Sequence, residues 1–239
     1  MSRQEKYAKL YKIQSSEVDA FRRLRLSTMF TFMQEAAIHH TEQLGAGREK
    51  TLDRGLLWVV MLQHAEILRM PEYDEEIKLV SWPGKMMHVM FPRYYNIYDN
   101  SGKTVIRGSA LWTLMDCETR KMVFPDEYGI SIDETVTGEE YELPKPVKPG
   151  EILRTEEFTV PYSLTDINGH LTNTAYFDLA QDRLGFSEGG RQVKYAAAEY
   201  SGEARMGESF ELGVGEYDEG AFVSGTKDGQ KLFRLRIEY

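Results

Sequence analysis

The chain has one cysteine, Cys117, in 239 residues, so no disulfide can close within it. That usage fits a reducing compartment. No run of eighteen apolar residues occurs, which excludes an ordinary membrane-spanning helix. The opening MSRQEKYAKL is charged from the start and lacks the apolar stretch of a signal peptide; nor is it a long Ser/Arg-rich transit sequence. These absences lead to the expectation of a soluble protein of the bacterial cytoplasm. Basic residues are outnumbered 29 to 38, for a net charge of -9. Neutralising phosphates needs a clustered basic surface, so neither nucleic acid nor membrane is an expected partner. The local exception is Phe21-Arg22-Arg23-Leu24-Arg25-Leu26. Such a run is most often a solvated face; its functional reading is a docking patch for an acidic partner. Proline is scarce as well, with eight residues, three of them within Leu143-Pro144-Lys145-Pro146-Val147-Lys148-Pro149-Gly150. Lacking the N–H that a sheet ladder needs, this piece reads as an extended linker within 126–150.

What the chain does have is 41% hydrophobic and 12% aromatic residues, enough for a sizeable core and weighted towards sheet. The pattern predicts a strand over 7–14 and a helix over 27–44 ended by Gly45 and Gly47. Strands follow over 56–68, 75–82, 90–98 and 104–117. Leu56-Leu57-Trp58-Val59-Val60-Met61-Leu62 is apolar throughout and belongs at the centre of a sheet. After the linker the same order returns: a strand over 151–162, a polar loop, a helix over 173–185, and strands over 193–203, 209–217, 221–226 and 231–239. At an offset of 147, Ser16 meets Ser163, Asp19 meets Asp166, Leu24 meets Leu171, Gln34 meets Gln181 and Glu35 meets Asp182. The fold expected is α+β: two domains, 1–125 and 151–239, each a long antiparallel sheet around one helix. Joined edge to edge, the sheets would cover two open edges.

The halves differ in their loop chemistry. At the same offset Asn168 meets Phe21 and His170 meets Arg23. Asp166, Asn168 and His170 precede the second helix, and Glu203 follows the next strand. Hydrolysis of an acyl bond by water needs a group that takes a proton from water, a group that orients it, and donors for the oxyanion. A histidine or carboxylate, an amide side chain, and the unpaired N–H groups at a helix start can fill those places. Asp, Asn and Thr before a helix are also ordinary caps, and Asn168-Gly169 is an ordinary turn, so composition leaves both readings open. His39-His40 has no Cys or acidic ligand at metal spacing, and no metal or cofactor is expected.

The residues resemble the plant and bacterial acyl-ACP thioesterase family. In the first half the likeness runs through Trp58-Val59-Val60 to Pro71, Ser81-Trp82-Pro83, Leu111-Trp112 and Thr119-Arg120-Lys121. In the second it runs through Asp166, Asn168, His170, Asn173, Tyr176, Glu199-Tyr200 and Glu203. The resemblance implies tandem hot-dog domains, an acyl carrier protein as substrate carrier in fatty acid biosynthesis, and a catalytic second half. It makes the first half a non-catalytic wall of the acyl tunnel, with Met29, Phe32, Met33, Leu57 and Trp58 as candidate lining. Ala204 stands where the family has a cysteine, so a thiol nucleophile is excluded there. The expected mechanism is direct water attack, with Glu203 as base, Asn168 as orienter and His170 polarising the carbonyl or protonating the thiolate. Asp166 holds the loop, and the helix amides bind the oxyanion. Acyl-CoA hydrolysis, a hot-dog dehydratase or hydratase, and a non-enzymatic acyl-binding module remain alternatives, and a homodimer is left open.

Overall fold

A computed structural model describes residues 6–130, 138–184, 191–217 and 219–239. The first half runs β1 (Tyr7–Lys12), α1 (Leu26–Gln43), β2 (Leu56–Ile67), β3 (Glu76–Pro83), β4 (Met90–Tyr98) and β5 (Thr104–Asp116). The second runs β6 (Arg154–Thr159), α2 (Ala175–Arg183), β7 (Tyr195–Tyr200), β8 (Ser209–Tyr217), β9 (Gly220–Lys227) and β10 (Gln230–Glu238). All ten strands form one antiparallel sheet in the order β1-β3-β4-β5-β2-β7-β10-β9-β8-β6. Read outward from its centre, each half has the same sequence of strands, which is the tandem hot-dog arrangement.

The halves join through β2 and β7, with Leu62 opposite Glu199 and Glu66 opposite Tyr195. Each strand would otherwise leave a row of unpaired N–H and C=O groups, and the pairing removes both open edges. β2 is central in the strand order, although its apolar run meets β7 only at Leu62. The pairing stops at Leu62, beside a bulge where the β2–β5 register shifts between Val60 and Leu62. Beyond it, Leu56–Val60 pair with β5 alone, and the chain after β7 turns away, Ser201 and Gly202 donating to the Leu232 carbonyl.

Helix contacts obey the same two-fold relation. Ser27 donates to Asp178 at 2.6 Å, and Thr31 bonds Thr174 at 3.1 Å. At the 147-residue offset Ser27 corresponds to Thr174 and Thr31 to Asp178, so the two bonds are images of each other. Between them Phe30 stacks on Phe177, itself the equivalent residue, at 4.2 Å. The second helix is shorter than the 173–185 expected, beginning at Ala175 and ending at Arg183. Thr172 to Thr174 form a preceding turn, with Ala175 N–H bonded to Thr172 and Phe177 N–H to Thr174; position 185 lies outside the described residues. The strand expected over 193–203 also ends early, at Tyr200, which leaves Glu203 in a loop.

The segment 138–150 lies across the sheet face opposite the helices. Tyr141 meets the rings of Trp82 and Tyr94 and accepts from Asn96 at 2.8 Å. Ser109 donates to the Glu142 carbonyl, and Val147 is buried against Ala197 and Phe222. The proline-rich piece thus covers both halves, without a strand of its own. Among the described residues no helix is long and apolar enough to cross a membrane.

Phe30 and Phe177 are both fully buried on the pseudo-axis. Phe30→Ala should cost about 3–5 kcal/mol, and Phe177→Ala a similar amount, because neither site can collapse without moving a helix. Urea unfolding measures this; a loss below about 1 kcal/mol would show that the helix pair carries little of the core's stability.

Candidate active site

The loop before α2 is built by one carboxylate. Asp166 Oδ1 accepts the backbone N–H groups of Asn168 at 2.8 Å and His170 at 3.1 Å. Its own N–H bonds the His170 carbonyl, and Gly169 bonds back to Asp166. Asp and Asn turn the chain in this way because a short side-chain acceptor reaches amides two to four residues on. Gly169 takes the left-handed φ of +74° that the turn demands.

The first half has the same loop. Asp19 Oδ1 accepts from Phe21 at 2.8 Å and Arg23 at 2.9 Å, and Arg22 holds a φ of +64° where the second half has glycine. Leu24 N–H bonds Pro71 as Leu171 N–H bonds Ala204, so Met70 stands where Glu203 stands. Backbone for backbone the loops agree, while Phe21, Arg23 and Met70 replace Asn168, His170 and Glu203.

In the second half, His170 and Glu203 come together. The imidazole Nε2 lies 3.4 Å from Glu203 Oε2. It is buried and not aligned for a hydrogen bond; such contacts often tighten only around substrate. The approach is fixed by a bridge between His170 and Arg205 and by the Leu171 to Ala204 bond. Burial first, then Arg205, lowers the His170 pKa from its ordinary value, outweighing the pull of Asp166. Arg120 lowers it further, and its Nη2 donates to Glu203 Oε2. Asn168 sits on the exposed face of the loop, and among the described residues its carboxamide makes no hydrogen bond. The N–H groups of Asn173 and Thr174, just before α2, likewise donate to no described group. The geometry therefore offers a neutral imidazole beside a carboxylate, an amide two residues away along the loop, and free backbone donors at a helix start.

A family model described as the acyl-ACP thioesterase N-terminal domain matches residues 4–129, more than half of the chain. The chain belongs to the acyl-ACP thioesterase family. The matched segment ends before the His170 loop. A chloroplastic acyl-[acyl-carrier-protein] hydrolase of Cuphea viscosissima is 26% identical over 182 residues, 70% of this chain and 44% of its own length. A chloroplastic dodecanoyl-[acyl-carrier-protein] hydrolase of Cinnamomum camphora is 26% identical over 189 residues, 72% of this chain and 49% of its own. The chain thus spans about half the length of these curated relatives. Among solved structures, an acyl-ACP thioesterase from Bacteroides thetaiotaomicron superposes with a TM-score of 0.87 at 20% identity, covering 98% of this chain and 97% of that one. The 12:0-ACP thioesterase from Umbellularia californica gives 0.84 at 21% identity, with the same coverage. At these identities the structures establish the shared fold.

The family's acyl chain was expected among Met29, Phe32, Met33, Leu57 and Trp58. A pocket of about 160 Å³ does open in the first half, lined by Trp58, Phe91, Trp112, Ile38, Leu52 and Met86 among others. Of the five expected residues Trp58 alone lines it. Met29, Phe32 and Met33 face the sheet and are buried in the core, their helical spacing serving packing. Sequence reasoning missed Arg93, which lines the pocket and donates to His40 Nδ1 at 2.9 Å and Thr41 at 3.2 Å. Burial pushes its guanidinium down to about 10.

The arginine run also needs correction. Arg23 pairs with Asp19 at 2.9 Å and donates to the Arg191 carbonyl at 2.8 Å, so it holds the loop and is not offered to a partner. Arg22 and Arg25 remain exposed, Arg25 with its Nε–H on the Val18 carbonyl.

NMR titration of the His170 ring should give a pKa below the usual 6.5 or so. A folded-state pKa depressed in this way adds stability above the unfolded value, which is lost as pH falls through the folded one. A His170 titration above 6.5 would mean that Glu203, and not burial with Arg205, governs the ring.

Proposed function

We propose that the chain hydrolyses fatty acyl thioesters carried on acyl carrier protein, releasing free acid and carrier thiol. The observation that carries the reading is the approach of His170 to Glu203 in the second half, where the duplicated first-half loop holds Arg23 and Met70 instead. Family membership supports the same substrate class.

The mechanism is direct water attack. The expected assignment made Glu203 the base, but a carboxylate paired with a guanidinium is a weak one. A neutral imidazole with an unbonded Nε2 suits the task better at neutral pH. His170 takes a proton from water as the water oxygen bonds to the acyl carbon, and Glu203, on the same edge of the ring, orients the imidazole. The oxyanion is met by the N–H groups of Asn173 and Thr174, and Asn168 orients the water. The C–S bond then breaks and His170 returns the proton to the departing sulfur. Asp166 acts through the backbone, holding the loop in register. Ala204 offers no thiol, so no acyl-enzyme forms there.

The acyl chain occupies the first-half pocket. Its wall at Thr51 and Leu52 adjoins Gly55, whose carbonyl accepts from Cys117 at 2.8 Å, three residues before the Arg120 that reaches Glu203. Pocket and candidate catalytic pair are therefore linked by a short stretch of structure. In this reading 1–125 is the acyl-binding half, 126–150 the connection and 151–239 the catalytic half.

Thiol release from a panel of acyl-ACPs, followed by identification of the freed acids, tests the reading; a wild-type rate equal to the uncatalysed rate on every carrier would end it. His170→Ala and Glu203→Ala should each lower kcat/KM by about 10²–10⁴-fold, with Asn168→Ala also impaired. Faster turnover of acyl-CoA than of acyl-ACP would reassign the carrier. Charge reversal at Arg22 and Arg25 should raise KM for carrier-linked substrate and spare small thioesters, since these guanidiniums face solvent near the loop and carrier protein is acidic; equal effects on both substrates would remove the docking role.

A further inference from the structure

The turn after β5 is unusually well fixed for a surface connection. Asp116 Oδ1 accepts the N–H groups of Glu118 and Thr119 and the Thr119 hydroxyl, at 3.1, 2.7 and 2.9 Å. Arg120 donates its N–H to the Asp116 carbonyl and holds a left-handed φ of +58°, a conformation disfavoured for a side chain of its size. The Cys117 N–H ties the same turn to Gly55 at the head of β2. All of these contacts lie within the first half. What the turn presents across the boundary is the Arg120 guanidinium, and it meets Glu203 Oε2, the same oxygen that lies nearest His170.

We propose that Arg120 is a positioning residue of the candidate active site, pinning the Glu203 carboxylate beside His170 so that the centre is completed by the first half. This rests on the hydrolase reading above. Glu203 stands in a loop beyond the end of β7; its backbone neighbours are tied to the His170 loop, but its side chain is more than a third exposed, so burial does not orient the carboxylate. Arg120 Nη2 is the hydrogen-bond donor that its carboxylate has among the described residues. A paired but half-exposed arginine and glutamate contribute little to stability, so their conspicuous presentation on a locked turn calls for another role. The charged groups that face the His170 ring are Glu203, Arg120, Arg205, Asp166 and Glu208. In that set Arg120 acts twice: it repels a proton on the imidazole, and it neutralises the carboxylate that would attract one. Both effects keep His170 unprotonated at neutral pH, ready to accept a proton from water.

Arg120→Gln and Arg120→Lys in the full chain test this with two readouts. In the first, the His170 ring is titrated by NMR, which needs no turnover. In the second, kcat/KM is followed against pH on a short acyl thioester that needs no carrier contact. For Arg120→Gln the His170 pKa should rise by roughly one unit, with the acid limb of the profile moving up by the same interval. The plateau should fall by about tenfold as Glu203 loses its orientation. Arg120→Lys, keeping the charge but not the planar fork, should restore most of the titration and less of the plateau. An unmoved titration and acid limb in a folded Arg120→Gln protein overturns the proposal. A wild type that releases no thiol overturns the hydrolase reading instead, and a His170 titration that still shifts then supports the contact by itself.

Discussion

The pairing of β2 with β7 is the constraint on which the rest of the molecule depends. Ten strands become one sheet only because these two, each in the middle of the chain's own half, accept each other's free edge. The same pairing fixes the helices, since Ser27 with Asp178 and Thr31 with Thr174 can form as mirror contacts only when the halves meet about one axis. It also sets where the halves part. At the β2 bulge the strands separate, the chain beyond Tyr200 turns away, and Glu203 comes against the turn that follows β5. A site shared between the halves is a geometric consequence of where the sheet stops being continuous.

Duplication supplies a second constraint. The loops led by Asp19 and Asp166 make the same backbone hydrogen bonds, with a left-handed residue at the equivalent position, in both halves. The aspartate is kept by the turn's need for an internal acceptor, and so its presence alone says nothing about catalysis. The neighbours whose side chains leave the loop are free to differ. In one half they are Phe21 and Arg23, committed to local packing and to the Arg191 carbonyl; in the other they are Asn168 and His170. Matching backbone with divergent side chains separates the part of the loop that folds from the part free to take another role.

Electrostatics then assigns the divergent side chains their work. A buried imidazole between Arg205 and an arginine-neutralised glutamate stays unprotonated, which suits a group that must accept a proton. The first half places a different polar feature in its pocket beside Trp58, Phe91 and Trp112: the buried Arg93 against His40 and Thr41 near the end of α1. That position lets the helix's negative end share in compensating the charge. The two halves thus share a scaffold while one surrounds a pocket and the other brings His170 against Glu203.

Local pattern by itself determined the element order, the repeat, the central place of the Leu56–Leu62 run, and the Asp166, Asn168 and His170 loop. Each of these follows from periodicity or from spacing within a few residues, which is information a chain displays without folding. Tertiary structure alone decided that the 138–150 segment covers the sheet, that Met29, Phe32 and Met33 pack inward while Trp58 lines the pocket, and that Arg23 is a strut. It also brought Arg120 to Glu203 across 83 positions. Contacts between residues so far apart depend on how two sheets meet and where their pairing ends, and no short-range pattern of residue types encodes that. An arginine in a turn after a strand looks the same in the sequence whether it faces water or a catalytic carboxylate.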